Sequence, residues 1–358
     1  MKKIIVIAEA GVNHNGNKDL AYDLIDAAAE AKADYVKFQT YKTSEIIDKK
    51  AAKAGYQKVT TDANEGQYEM LKRLELPYDF HKELLEHALN RGINFLSTPF
   101  ELTSLNFLVN VIGLKINKIP SGEITNAPFL LEHTKTNNDL ILSTGMSTLE
   151  EIRLALSIIA FGFINKNKKP GAKAFLEAYE SEEGQIALKK KVTLLHCTSE
   201  YPAPKENLNL FAMDEIKKEF NLKVGYSDHS EGINASIIAA AMGACLIEKH
   251  FTMDKSLEGP DHRASIDPKE LSQLVEGIRD VEKMQGNKIK RPTDVEIKNK
   301  EAIRKSIVAN GNIKIGDTFT LENLVIKRPG NGMNPIKIWD LLGKQSKKSY
   351  NNDEQISE

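Results

Sequence analysis

Short apolar runs recur along the chain at residues 4–8, 35–38, 94–96, 115–119, 140–142, 192–195, 223–226 and 245–247, with amphipathic stretches between them. Runs this short and this continuously apolar predict buried parallel strands, and the longer 3.6-period stretches predict crossover helices. Eight such units predict a (β/α)8 TIM barrel over residues 1–285. A doubly wound open sheet is the alternative, disfavoured by the count of eight and by the missing glycine-rich dinucleotide turn. Helix starts fall where the pattern needs them: Ser147-Thr148 precedes LEEIRLALSII, and Asp267-Pro268 precedes KELSQLVEGIRDVEKM.

Three segments depart from this alternation. Residues 163–191 are charged with helix-forming composition at the centre, which predicts a solvated appendage on the barrel; a helix pair used in an oligomer contact is the other reading. Residues 286–300 are polar with Arg291-Pro292 and predict a linker. Residues 301–345 contain β-type runs broken by Asn-Gly, Gly-Asp and Pro-Gly turns, a small β-rich module whose core calls for docking onto a larger body. Residues 346–358 are polar and predict a frayed tail.

Composition narrows the partners. With 41% hydrophobic residues, and 49 basic against 50 acidic for a net charge of −1, the chain has no global field to attract nucleic acid or an anionic membrane. Glu9 interrupts the apolar opening MKKIIVIAEAG, and no run of eighteen apolar residues follows, so a cytoplasmic protein is expected. Cys197 and Cys245 sit at predicted strands, as reduced buried thiols do.

Chemistry concentrates where strands end. The stretch GYSDHSEGINASIIAAAMGACLIEKHF places His229 and His250 just beyond neighbouring strands, with a small-residue helix between them. A right-handed strand–helix–strand unit sets both ends on one edge. Two imidazoles there can share a divalent metal, or each can be an ordinary hydrogen-bonded residue. Other strand ends deliver Glu9 and Asn13-His14-Asn15, then Lys37, Gln39 and Lys42, Ser97-Thr98, Lys118, Ser121 and Glu123, Ser143-Thr144, His196 and Thr198, Ser227 and Asp228, and Glu248. Two lysines among hydroxyls on one rim suit a phosphate or carboxylate, because an ammonium supplies point charge and a hydroxyl a directional donor. Lys249 alternates with Glu248 and His250, so it points away and pairs outside the site.

IAEAGVNHNG, VKFQTYK, STPF, KIPSGEITN, LSTGM, LLHCTSEYPAP, GYSDHS, IEKHFT, GPDHRAS and KRPGNG occur in this order from Ile7 to about Lys344. In these motifs the chain resembles the N-acetylneuraminate (sialic acid) synthase family, the phosphoenolpyruvate-dependent nonulosonate synthases. The resemblance implies a (β/α)8 barrel with a C-terminal antifreeze-like (SAF) domain, and condensation of phosphoenolpyruvate with N-acetylmannosamine or a related amino sugar. It implies that Lys37, Lys118, Ser121, Ser143 and Ser227 bind phosphoenolpyruvate, that His229 and His250 hold Mn²⁺ or Mg²⁺, and that Glu123 works at the reacting carbons. Asn15, Gln39, Tyr201 and Asp261 would face the sugar. Arg328 would reach the N-acetyl group in a second copy's site, through a homodimer that exchanges small domains. Asn15 stands where some members have glutamate, the 163–191 insertion is long, and the tail lacks the apolar segment that usually closes the small domain. N-acetylmannosamine is the expected acceptor. The alternative is 2,4-diacetamido-2,4,6-trideoxymannose, the precursor of legionaminic acid, and a Schiff-base aldolase using Lys37 or Lys118 is a remote rival.

Overall fold

The computed structural model describes residues 3–62, 64–165 and 168–357. Residues 166–167 of the expected insertion, the first two residues and the last lie outside them. The chain divides into two compact units, Met1–Gly286 and Asn287–Glu358.

In the first unit eight strands run parallel: β1 (Ile5–Gly11), β2 (Tyr35–Thr40), β3 (Asn94–Pro99), β4 (Ile116–Ile119), β5 (Asp139–Ser143), β6 (Val192–Cys197), β7 (Lys223–Asp228) and β8 (Leu246–His250). Their order is β3-β2-β1-β8-β7-β6-β5-β4, and the two ends of that order, β3 and β4, lie against each other, so the sheet nearly closes into a barrel wrapped by helices. This is a TIM-barrel fold. Side chains alternate across each strand. Ile5, Ile7, Tyr35, Leu96, Ile116 and Ile141 line the barrel interior at the amino ends, while Glu9, Lys37, Thr98, Lys118 and Ser143, farther along the same strands, line a pocket at the carboxyl ends. One period-2 pattern thus builds an apolar plug below a charged floor.

The caps close as the sequence predicts. Thr148 accepts from Glu151 N at the start of the helix Leu149–Ile164, and Asp267 accepts from Glu270 N at the start of Pro268–Met284, each as a full capping box.

Three expectations need correction. The segment 163–191 is not a free appendage: it forms the helices Ala172–Glu180 and Glu182–Lys191, which pack on Leu149–Ile164 with Ala178 and Leu188 buried and Phe175 edge-on to Phe161. Its charges occupy only the outer faces, so composition hid the apolar stripe. The 286–300 segment is not simply a linker, because Thr293 and Glu296 form a capping box that starts the exposed helix Asp294–Ile303. The 346–358 tail is not frayed. Bridges Ile313↔Tyr350 and Val308↔Gln355 tie it to the second unit, where Tyr350 and Ile356 are buried. The tail thus supplies two apolar residues to the small unit's core; spaced among polar residues, they make no visible run.

The second unit pairs β9 (Ser306–Ala309) with β10 (Leu324–Lys327) antiparallel, around a core including Ile307, Phe319, Leu324, Ile338, Leu341, Tyr350 and Ile356.

Candidate active site

The pocket at the strand ends has a volume of about 400 Å³. Strand order explains its composition: β1, β2, β4, β7 and β8 each turn a polar side chain inward at the same level. Lys37 Nζ lies 2.6 Å from Glu9 Oε2 and donates to Thr98 Oγ1 at 2.8 Å. Lys118 Nζ donates to Ser143 Oγ at 2.8 Å. Glu248 lies between the two ammoniums, its Oε1 3.6 Å from Lys118 and its Oε2 3.6 Å from Lys37, and Ser227 Oγ donates to Oε1 at 2.9 Å.

All four charged groups are buried. Burial alone would push the Glu248 carboxyl up, but Lys118 and then Lys37 outweigh it and hold it well below the usual range. Burial dominates at Glu9 and raises it, against the pull of Lys37 and with help from the Glu248 charge. One carboxylate therefore stays ionised beside two ammoniums while the other resists ionisation. Two lysines and two carboxylates share the floor, and because Glu9 resists ionisation an incoming anion can compete for the lysines.

The two histidines stand at one edge of this floor with ring centroids 5.6 Å apart. His229 Nδ1–H donates to the Thr198 carbonyl at 2.6 Å, which assigns the bare lone pair to Nε2, 3.1 Å from the Tyr201 hydroxyl. Burial lowers the His229 pKa to about 4 and that of His250 well below 6.5, so both rings are neutral at pH 7. His250 Nδ1 has no hydrogen-bond partner among the described residues and lies 3.7 Å from Asp261 Oδ2. Asp261 is itself raised to about 7 by burial, partly offset by Lys37. Gly11, at φ +53°, leaves this space open: a Cβ there would sit 3.3 Å from the His250 ring. Neutral imidazoles, one oriented by a carbonyl, are the usual state of metal ligands. Among the described residues no group of three or more His, Cys, Asp or Glu is placed to hold a metal ion.

Lys37, Gln39, Lys118, Ser121, Glu123, Ser143, Tyr201, Ser227, His229, His250 and Asp261 all line this one pocket. Tyr201 stacks on His229 at 4.1 Å between centroids. Ser121 Oγ accepts from Gly145 N at 2.9 Å, and Glu123 accepts from Asn126 at 2.7 Å. Asn15 is not brought to the pocket lining; its side-chain amide donates to the Glu258 carbonyl at 2.9 Å. Arg328 is exposed in the second unit. Lys42 lies over the Tyr78 ring and His196 bonds the Leu208 carbonyl, so neither serves the site. Lys249 pairs with Asp228 at 3.2 Å, away from the pocket, as alternation predicts.

Two features escaped sequence reasoning. Glu9 and Glu248 were visible as strand-end residues, but their work as counter-ions for both lysines needs the barrel to bring four strands together. The other is an apolar side, Val12, Tyr41, Ile46, Ile47, Met70, Leu71 and Phe100, much of it from the excursion after β2. The length of that excursion, from Thr43 to Asn90 instead of one crossover helix, was the available signal.

Known proteins bear on this geometry. Residues 24–290 match the NeuB family. Over 358 residues the chain is 49% identical to the N,N'-diacetyllegionaminic acid synthase of Campylobacter jejuni, spanning 100% of both. It is 45% identical to the protein of the same name from Legionella pneumophila, over 94% of this chain and 89% of that one. Among solved structures it resembles the N-acetylneuraminic acid (sialic acid) synthetase of Leptospira borgpetersenii in complex with citrate, with TM-score 0.66 and 32% identity over 83% of this chain and 90% of the other.

Proposed function

The chain belongs to the NeuB family of phosphoenolpyruvate-dependent nonulosonate synthases, and we propose that its acceptor is 2,4-diacetamido-2,4,6-trideoxymannose, making it an N,N'-diacetyllegionaminic acid synthase. The observation that carries this reading is the identity of 49% and 45% to legionaminic acid synthases, against 32% to the sialic acid synthetase. N-acetylmannosamine, the first expectation from the motifs, gives way because the relatives of higher identity are N,N'-diacetyllegionaminic acid synthases.

Lys37 and Lys118 bind the phosphate and carboxylate of phosphoenolpyruvate, with Ser121, Ser143 and Ser227 as directional donors. The two buried lysines of the floor and the 2.8 Å contact from Lys118 to Ser143 support these roles. His229 and His250 hold Mn²⁺ or Mg²⁺, a role supported by their neutral rings and by the carbonyl that orients His229. When bound, the ion supplies Lewis acidity to the open-chain aldehyde of the sugar. Tyr201, Gln39 and Asp261 orient that sugar so that its aldehyde carbon meets carbon 3 of phosphoenolpyruvate. The new C–C bond leaves a cation at carbon 2 and an alkoxide at the former aldehyde oxygen, which takes a proton from solvent. Water adds at carbon 2 and gives one proton to Glu123, and phosphate departs with C–O cleavage, taking up the remaining hydroxyl proton as carbon 2 becomes a ketone. The lysines stabilise charge as it shifts onto the leaving phosphate. We carry over from the family the homodimer in which Arg328 of a second copy contacts the sugar's N-acetyl group.

Phosphate release with each sugar tests the acceptor: the diacetamido sugar is expected to show at least about 10-fold higher kcat/KM, and a preference for N-acetylmannosamine overturns the proposal. Thorough chelation is expected to abolish turnover and Mn²⁺ to restore it; activity surviving both chelation and the double substitution His229→Ala, His250→Ala removes the metal role. Arg328→Ala mixed with Lys118→Ala is expected to recover activity through hybrid dimers, and no recovery at any ratio refutes the exchange.

A further inference from the structure

We infer that the apolar side of the pocket is the acceptor-sorting surface, with Ile46, Ile47, Leu71 and Phe100 receiving the carbon 6 methyl group of a 6-deoxy sugar. This deepens the acceptor assignment above and rests on it.

The wall is a built feature. Val12, Tyr41 and Phe100 directly follow the ends of β1, β2 and β3, and Ile46, Ile47, Met70 and Leu71 come from the excursion after β2. Val12, Tyr41, Met70 and Leu74 are buried together as a small core separate from the barrel's, with Ile46, Leu71 and Phe100 half-buried against it. One side of this cluster is therefore packed protein while the other opens to the pocket. Tyr41 meets Phe100 edge-on at 6.0 Å, and its hydroxyl donates to the Leu71 carbonyl at 3.1 Å, so this polar atom is already engaged. The amide oxygen of nearby Gln57 is engaged too, Oε1 accepting from Ala54 N at 3.0 Å and from Gln67 Nε2 at 3.3 Å.

The floor and the histidines require the reacting carbon of the sugar beside them, so the far end of its chain extends away from the floor. On the β1–β3 side it meets mostly carbon side chains, Val12, Ile46, Ile47, Met70, Leu71 and Phe100, with the amides of Gln57 and Gln67 beside them. Against the carbon surface of Ile46, Ile47, Leu71 and Phe100 a methyl group gains burial, whereas a hydroxyl loses water to a surface that offers it no hydrogen bond. A pocket of this kind discriminates one hydroxyl by about 10- to 100-fold.

The test compares N-acetylmannosamine with 2-acetamido-2,6-dideoxymannose, which differ only at carbon 6, and the diacetamido sugar, in the full-length enzyme and two variants. Wild type is expected to favour the 6-deoxy sugar of the matched pair by about 10- to 100-fold in kcat/KM. Ile47→Asn and, independently, Leu71→Gln are expected to shrink that ratio by about 10-fold while leaving KM for phosphoenolpyruvate unchanged; the second variant preserves side-chain length if the first folds poorly. Equal use of the matched sugars by wild type, or an unchanged ratio in both variants, overturns the inference. Wild-type inactivity on the diacetamido sugar instead overturns the acceptor assignment, so the two failures are distinct.

Discussion

On β7 and β8 two pairs of polar residues lie side by side in register, Ser227 opposite Glu248 and Asp228 opposite Lys249, and all four are buried. Asp228 is fully engaged: Oδ1 accepts from Ser230 N and Ser230 Oγ, while Oδ2 accepts from Ser236 Oγ and meets Lys249 Nζ at 3.2 Å. Lys249 also donates to the Ser230 carbonyl. One residue away, Glu248 shares two lysines at 3.6 Å each, and its Oε2 has no hydrogen-bond partner among the described residues. The outward pair is a closed structural network. The inward group is charged, desolvated and incompletely paired, the state in which a site keeps capacity for a ligand. A shift of one residue in the strand separates structure from chemistry.

The strongest way to break this comparison is Lys249→Met, which leaves the Asp228 charge without its cation. It is expected to cost about 3–5 kcal/mol in urea unfolding, and a loss under about 1 kcal/mol would mean the pair is not the closed network described. Glu248→Gln is expected to behave oppositely, cutting kcat/KM for phosphoenolpyruvate by about 100-fold through misplaced lysines with a much smaller change in the unfolding midpoint. Equal stability losses in both variants would erase the distinction.

His133 sharpens the comparison as a third kind of buried polar group, with both ring nitrogens unpartnered among the described residues and the ring edge-on to Phe129 at 4.5 Å. Burial lowers its pKa from 6.5 to about 3. Above pH 6.5 the ring is neutral in both states; below it, the unfolded chain takes up a proton that the folded chain refuses until about 3, so stability falls as pH drops through that window. Between pH 7 and pH 5, His133→Leu is expected to lose about 2 kcal/mol less than the parent protein, measured as the difference in urea-unfolding free energies. An identical acid-side loss would show that His133 is protonated in the folded state. Smallest of all, Thr148→Ala removes one half of a capping box on the barrel's outside and is expected to cost about 1 kcal/mol with unchanged turnover; altered kinetics would mean that the outer helices are coupled to the floor.

Much was legible without the fold. The eight strands follow from local apolar runs and the helix starts from Thr148 and Asp267, because both signals depend on near neighbours and hydrogen bonds within one turn. Strand-end position alone nominated Lys37, Lys118, Ser227, His229 and His250, and period-2 alternation alone sent Lys249 to the other side. Tertiary structure decided what depends on distant chain segments meeting. It sets Glu248 between lysines from β2 and β4, folds the charged 163–191 segment down onto a helix, closes the small unit with Tyr350 and Ile356, and draws Asn15 to the Glu258 carbonyl instead of the pocket lining. A periodic pattern records which way a side chain points, whereas its partner is selected by closure of the barrel, which no single stretch of sequence contains.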